Sequence, residues 1–324
     1  MRRTLLRIFT ALQLTRLTMA YGAIADLWLV ILLTRVDPLY ENLPASTLPL
    51  PVSLFAGLVV AVGLFTFGAG LNDVLDARHD RAFSPDRPIP AGNIRPQQAA
   101  ILTSACLAAA TLGAATLGVP AVATMALTAL GIIFYNAFAK HVPSVGFVTI
   151  GLVHAVHMAI PNHLFSFTLP IWLSMTHAMA VAILVYKIED KRPTPTVRAW
   201  MFTLAGWSFW SAVVLSWGWW HSRGVWPLGN GPWPGCLWPL GTALAFVGIA
   251  VVKTKGQSPA VASEKLRRYG AMWQSLYAVS WFAAIGLWKE ALMLGGVAAG
   301  GFAVMTALKE ITIAIRAPRS WREA

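Results

Sequence analysis

The sequence predicts an all-α, polytopic membrane bundle of nine or ten transmembrane helices, and three observations carry that prediction. Apolar residues fill 57% of the 324 positions and charged residues only 12%, where a soluble domain carries about 25% charged residues. The apolar positions are gathered into long runs separated by short polar segments. Lys and Arg collect on alternate segments, as in a chain that crosses a bilayer repeatedly.

A helix needs about 20 apolar residues to span hydrocarbon. The first run, residues 11–33, reaches that length and lacks the small-residue cleavage site of a removable signal peptide. Residues 52–71, 97–118, 121–138, 145–160 and 167–186 give the next five. Residues 199–220, 236–252, 269–288 and 291–311 complete the series. Several of these are short and call for tilt, kinks or cover from neighbouring helices. Composition changes only at the loops, so residues 1–324 read as a single transmembrane domain.

With a cytoplasmic N-terminus, one side of the membrane receives Arg2, Arg3, Arg7, Arg78, Arg81, Arg87, Arg95, Lys140, Lys187, Lys191, Arg192 and Arg198. Lys253, Lys255, Lys265, Arg267, Arg268, Lys309, Arg316, Arg319 and Arg322 join them, and only Arg35, Arg223 and Lys289 fall on the other side. That imbalance follows the positive-inside rule and predicts an integral protein of a bacterial inner membrane. The net charge of +12 then reflects topology and attraction to anionic membrane lipid, not a nucleic-acid partner. The Trp residues around one outer loop, among them Trp207, Trp210, Trp217, Trp219, Trp220, Trp226, Trp233 and Trp238, suit the headgroup level. Cys106 and Cys236 have no metal-ligand spacing and make no disulfide framework.

Chemistry concentrates after the second run. Asp73, Asp76, Asp80 and Asp86 fall within fourteen positions, although the whole chain has 13 acidic residues. Asp73, Asp76 and Asp80 are spaced i, i+3, i+7, which puts three anions on one helical face at a membrane exit. The negative end of the helix dipole adds to their repulsion. Such a face calls for compensating cations, most simply Mg²⁺ held by carboxylate oxygens and shared with phosphate oxygens.

The run Asn72-Asp73-Val74-Leu75-Asp76-Ala77-Arg78-His79-Asp80 resembles the NDxxDxxxD signature of the UbiA superfamily of intramembrane prenyltransferases. Its continuation through Arg81 and Pro85-Asp86-Arg87-Pro88-Ile89-Pro90-Ala91-Gly92 resembles that family's DRxxxPxRPIPxG tail. The resemblance implies transfer of a prenyl group from a prenyl diphosphate, with Mg²⁺, to an aromatic or other small lipophilic acceptor. It makes Asp73, Asp76 and Asp80 metal ligands and Asn72 a catalytic residue that also contacts the diphosphate. Arg81, Tyr135 and Lys140 are similar to residues that approach the diphosphate, and Gly151 loosely fits the fifth helix. Hydroxybenzoate, naphthoate, homogentisate, chlorin and haem acceptors all stay open. Ala23-Ile24-Ala25-Asp26 and Tyr135-Asn136 further resemble a short pattern of an EboC-like subgroup.

Members of that family carry a second motif, DxxDxxxD, after the sixth span. Here the segment reads Tyr186-Lys187-Ile188-Glu189-Asp190-Lys191-Arg192-Pro193-Thr194, so aligned on Asp190 the outer two positions hold Lys187 and Thr194. Asp190 is the candidate base because the family's arrangement sets it opposite the first motif. Glu189 is expected to point about 100° away if the segment is helical. Lys187, Lys191 or Arg192 would replace a metal ion as a fixed cation on the diphosphate. The alternative is a decayed half-site in a protein that binds or moves an isoprenoid lipid without transferring it.

Arg16 and Asp26 sit in the first span, where ionisable groups face a bundle interior or cavity. Ten residues separate them, about 15 Å of helix rise, too far to pair. His154 and His157 in the fifth span and His177 in the sixth are open to acceptor binding or metal ligation, with hydrogen-bonded packing the simpler role.

Overall fold

The computed structural model describes residues 16, 19–85, 87–221, 224–228 and 233–316, with side chains as far as residue 307. Residues 11–15, 17 and 18 of the first expected span lie outside the described residues, as do Arg2, Arg3, Arg7, Asp86, Arg223, Arg319 and Arg322. Ten long helices follow one another: α1 (Tyr21–Val36), α2 (Leu50–Leu75), α4 (Pro96–Thr116), α5 (Val119–Ala137), α6 (Pro143–Met158), α7 (Thr168–Ile188), α8 (Val197–His221), α9 (Leu237–Thr254), α10 (Pro259–Ala284) and α11 (Trp288–Arg316), with the short α3 (Ala77–Phe83) after α2. No strand occurs among the described residues. Seven of the helices are long and apolar enough to cross a membrane, and α6 is a shorter apolar helix. Together they make an integral membrane bundle.

Proline sets several of the starts, because its missing N–H costs nothing in the first helical turn. It occupies that turn in α2, α4, α5, α6 and α10. The ninth expected span begins ten residues late. Instead of a loop, Pro259 opens α10, and the turn carrying Glu264, Arg267 and Arg268 is helical, with Arg268 paired to Glu264 at 2.6 Å. Hydropathy registers only the apolar length of a helix, so a charged first half goes unseen. The extension brings Arg267 to Glu189.

Two apolar cores fill the bundle, and α1 belongs to both. Ile24 and Leu27 pack with Val60, Leu64, Phe67 and Met125 from α2 and α5. Leu29, Val30 and Leu33 pack with Met158, Ile171, Phe282 and Trp281 from α6, α7 and α10. A helix apolar on every side is stable only when surrounded, and α1 is buried along most of its length. Association in lipid depends on close backbone approach through small residues. A Cβ at Gly63 would lie 2.7 Å from the Cys106 carbonyl oxygen of α4, and one at Gly22 would lie 2.0 Å from that of Ala271 in α10.

The Trp cluster divides between two roles. Trp219, Trp220 and Trp233 are exposed, whereas Trp207 donates to Thr176 Oγ1 at 3.1 Å and Trp226 packs edge-on against the buried Trp281. Gly22→Val should force α1 and α10 apart and cost about 1–3 kcal/mol. A thermal unfolding midpoint in detergent equal to that of the wild type would contradict this contact.

Candidate active site

Antiparallel succession brings the ends of α2, α5 and α7 and the start of α10 to one end of the bundle. There α2 runs into α3 with little break. Asp76 N donates to the Asn72 carbonyl at 2.9 Å and Asp80 N to the Asp76 carbonyl at 2.8 Å, so helical register persists through the junction. Asp73 and Asp80, seven residues apart, therefore share a side, and both are buried. One guanidinium serves both: Arg87 Nη1 lies 3.4 Å from Asp73 Oδ1 and 2.7 Å from Asp80 Oδ2. Arg16 Nη2 approaches Asp73 Oδ1 at 3.0 Å. On the adjoining flank Lys140 Nζ is 2.6 Å from Asp76 Oδ1 and 3.2 Å from Asn72 Oδ1.

The loop that delivers Arg87 is held by its apolar residues. Ile89 is buried with Ala99 and packs against Val74, Ala77, Ile94 and Leu102 in a small satellite core. The Arg87 amide donates to the Ser84 carbonyl at 3.1 Å, and Ala91 N donates to the Arg87 carbonyl at 2.9 Å. Pro88-Ile89-Pro90 thus acts as an anchor that aims the arginine. Asp86, next in the loop, lies outside the described residues.

The second segment differs from the helical expectation. α7 ends at Ile188, and the backbone turns left-handed at Asp190, with φ of 45°. Asp190 consequently goes to solvent, its side chain 77% exposed and 3.6 Å from Arg192. Glu189 is the carboxylate that stays half-buried, bonded to Arg267 of α10 and 3.0 Å from Lys191. Lys187 is exposed, its ammonium 4.8 Å from the centre of the Trp200 ring. Arg81 is exposed too. Tyr135, two residues before the end of α5, is partly buried at this same end of the bundle.

Arg16, Arg87, Arg267 and Glu189 are thus the site residues that sequence reading did not assign. Arg87 was visible within the Pro85-to-Gly92 tail, and Arg16 as an intramembrane charge with no partner in its own helix. Nothing local marks Arg267, which is 78 residues from Glu189. Asp26 is buried beside Ser174, away from the acidic cluster's cations, with Oδ2 unpartnered. His177 is spent on packing, its ring nitrogens bonded to Tyr277 Oη at 3.1 Å and the Gly270 carbonyl at 2.9 Å.

Among the described residues no three His, Cys, Asp or Glu side chains converge as a ready-made metal cage. The donors at the first half-site are nonetheless all oxygen: Asp73, Asp76, Asp80 and the Asn72 amide. That set suits Mg²⁺, which needs only one or two carboxylates and completes its shell with water and phosphate.

The fold and site together define a helical membrane bundle with paired acidic and basic groups at one end. Residues 43–273 match the model of the UbiA prenyltransferase family, and the chain belongs to that family. It is 31% identical over 92 residues to digeranylgeranylglyceryl phosphate synthase of Methanopyrus kandleri and 34% identical over 116 residues to that of Methanosarcina barkeri. Those segments cover 28% and 35% of this chain, and span only 34% and 40% of the relatives' length. The fold is similar to that of a UbiA homologue from Archaeoglobus fulgidus bound to DMAPP and Mg²⁺, with TM-score 0.57, 16% identity, and 86% of this chain and 99% of that one covered. A solved digeranylgeranylglyceryl phosphate synthase gives TM-score 0.56 at 14% identity, with 87% and 99% covered.

Arg87→Met should destabilise the bundle by about 3–5 kcal/mol, because Asp80 is left buried without its cation. An unfolding midpoint equal to the wild type's would remove Arg87 from this structural role. At the other half-site, burial opposes ionisation of Glu189, but Arg267, Ser263 and Lys191 outweigh it and hold its carboxyl below the ordinary 4.5. A carboxylate held low contributes stability above its unfolded pKa and gives it up as pH falls. From about pH 6 to about pH 3 the unfolding midpoint should therefore drop more steeply for the wild type than for Glu189→Gln. Equal slopes would show that the pair is not coupled to folding.

Proposed function

We propose that this protein transfers a prenyl group from a Mg²⁺-bound prenyl diphosphate to a lipophilic acceptor. The observation that carries this reading is the exchangeable charge network at the α2–α3 junction. Every carboxylate of the motif there holds a basic side chain, and each of those basic groups is also a phosphate ligand by chemistry. Asp73, Asp76 and Asp80 would hold Mg²⁺, which neutralises pyrophosphate as it leaves. Arg16, Arg87 and Lys140, released from the carboxylates, would bind phosphate oxygens, with Asn72 and Tyr135 orienting them.

Arg267, fixed by Glu189 and within electrostatic reach of Tyr135, is the best-placed cation for the far side of the diphosphate. It takes the role that the sequence offered to Lys187, which is engaged with Trp200. Asp190, directed to solvent, stands outside the reacting cluster in this reading, and Arg81 serves at the rim. The bundle keeps water from the allylic carbon when the diphosphate departs. Membership of α1 in both cores supports one transmembrane domain, and the Lys and Arg distribution supports a cytoplasmic active site in a bacterial inner membrane. The relatives' name points to an acceptor bearing a glyceryl phosphate.

Purified protein given geranylgeranyl diphosphate together with a glyceryl phosphate lipid as acceptor should release pyrophosphate with Mg²⁺ and not with EDTA. Asp76→Asn and Asp80→Asn should each lower that rate by about 10²-fold or more, and Arg267→Gln by a comparable factor, the scale of losing one charge-stabilising group. Full activity in both aspartate variants would sink the metal assignment. Full activity in Arg267→Gln would return the second cation to Lys187.

A further inference from the structure

Away from the acidic cluster, three helices meet over polar side chains that the prenyl-transfer site does not use. Asp26 of α1, Ser174 of α7 and Gln274 of α10 are 2%, 3% and 3% exposed. Gly22 permits their closeness: a Cβ there would lie 3.1 Å from Gln274 Cβ, and Asp26 stands one turn further along the same face of α1. Gln274 Nε2 donates to the Ser174 carbonyl at 3.4 Å, and Asp26 is beside Ser174. Each of the three keeps one oxygen without a partner among the described residues: Asp26 Oδ2, Ser174 Oγ and Gln274 Oε1.

A carboxylate inside an apolar bundle needs a cation or a proton. Asp26 takes part in no ion pair among the described residues. One turn along α7 and α10, His177 and Tyr277 are already committed. The Gly270 carbonyl can only accept, so His177 Nε2, 2.9 Å away, carries the proton, and Nδ1 accepts from Tyr277 Oη at 3.1 Å. That pair leaves no donor for Asp26. No two of the three unpartnered oxygens are bonded to each other. A proton would neutralise the carboxylate from within such a bond, whereas a metal ion holds oxygens apart around itself. Carboxylate, hydroxyl and amide carbonyl are the oxygen donors that hard cations take. A single carboxylate balances a single positive charge, and a divalent ion would leave net charge in the apolar interior. Backbones as close as α1 and α10 are at Gly22 suit a small ion.

We propose that Asp26, Ser174 and Gln274 form a Na⁺ site that fastens α1 to α7 and α10 within the bundle. Neither the site nor its test depends on prenyl transfer. The full chain in detergent is melted in NaCl, KCl and choline chloride at equal ionic strength, with EDTA present to remove divalent ions. In NaCl the unfolding midpoint should lie about 2–4 °C above that in choline chloride and climb with the logarithm of the Na⁺ concentration. Asp26→Asn keeps the size of the side chain without its charge and should lose that increment. Ser174→Ala should need about tenfold more Na⁺ to reach half of it, as for loss of one ligand. Radioactive Na⁺ should bind the wild type by scintillation proximity and fail to bind Asp26→Asn.

Equal midpoints in NaCl and choline chloride, with no Na⁺ bound by the wild type, would overturn the site and leave Asp26 neutralised by a proton. An increment that KCl reproduces in full would rule out a site for a small ion. An increment that survives in Asp26→Asn would put the ion elsewhere in the chain and likewise sink the proposal. If Asp26→Asn does not fold, Ser174→Ala decides: an unchanged half-saturating Na⁺ concentration would overturn the site, and a tenfold rise would uphold it.

Discussion

Three carboxylates crowd the point where α2 leaves the apolar slab, two of them buried, and the rest of this end of the molecule is arranged around that cost. An unpaired buried charge is costly enough to unfold a marginal protein. The chain answers with cations from three distant places: Arg16 ahead of α1, Arg87 in the loop after α3 and Lys140 after α5. Each attachment ties an element to the α2–α3 junction, so electrostatic neutrality and the packing order of α1, α2 and α5 are one requirement. The same pairs neutralise the buried carboxylates, and in the proposed function they would give up their cations to phosphate.

The two halves of the bundle solve the problem differently. The first keeps its acidic face and meets it with basic side chains from other segments of the chain. The second has one half-buried carboxylate, Glu189, committed to Arg267 from a helix that starts nearly three turns before its apolar part. Positive charge is thus built into the second half where the family pattern would bring another metal. α1, shared by the two cores, ties the two halves together.

Small residues make that arrangement possible. In lipid the apolar surfaces of helices gain little by leaving their solvent, so close van der Waals approach must serve instead. Gly22 and Gly63 allow α10 and α4 to come against α1 and α2 at distances that a Cβ forbids. Buried polar groups then need partners across helices, and His177 has found two, whereas Asp26 retains an oxygen without one.

Composition, run length and charge alternation determined the helical membrane class, because a chain in lipid must satisfy its backbone within helices and announces each span by apolar length. The shared side of Asp73 and Asp80 was equally legible, since helical register survives through Asp76, while Asp76 itself stands on the adjoining flank with its own cation, Lys140. The direction of Asp190 was not legible. Where α7 stops, the helical wheel stops applying, and a left-handed residue sends the side chains elsewhere. Partner choice across the bundle was decided by tertiary structure alone: Arg16 with Asp73, and Arg267 with Glu189, are contacts over 57 and 78 residues that no local spacing encodes. The sequence by itself determined which charges would be stranded at the membrane exit, and only the packing of helices decided which cations reach them.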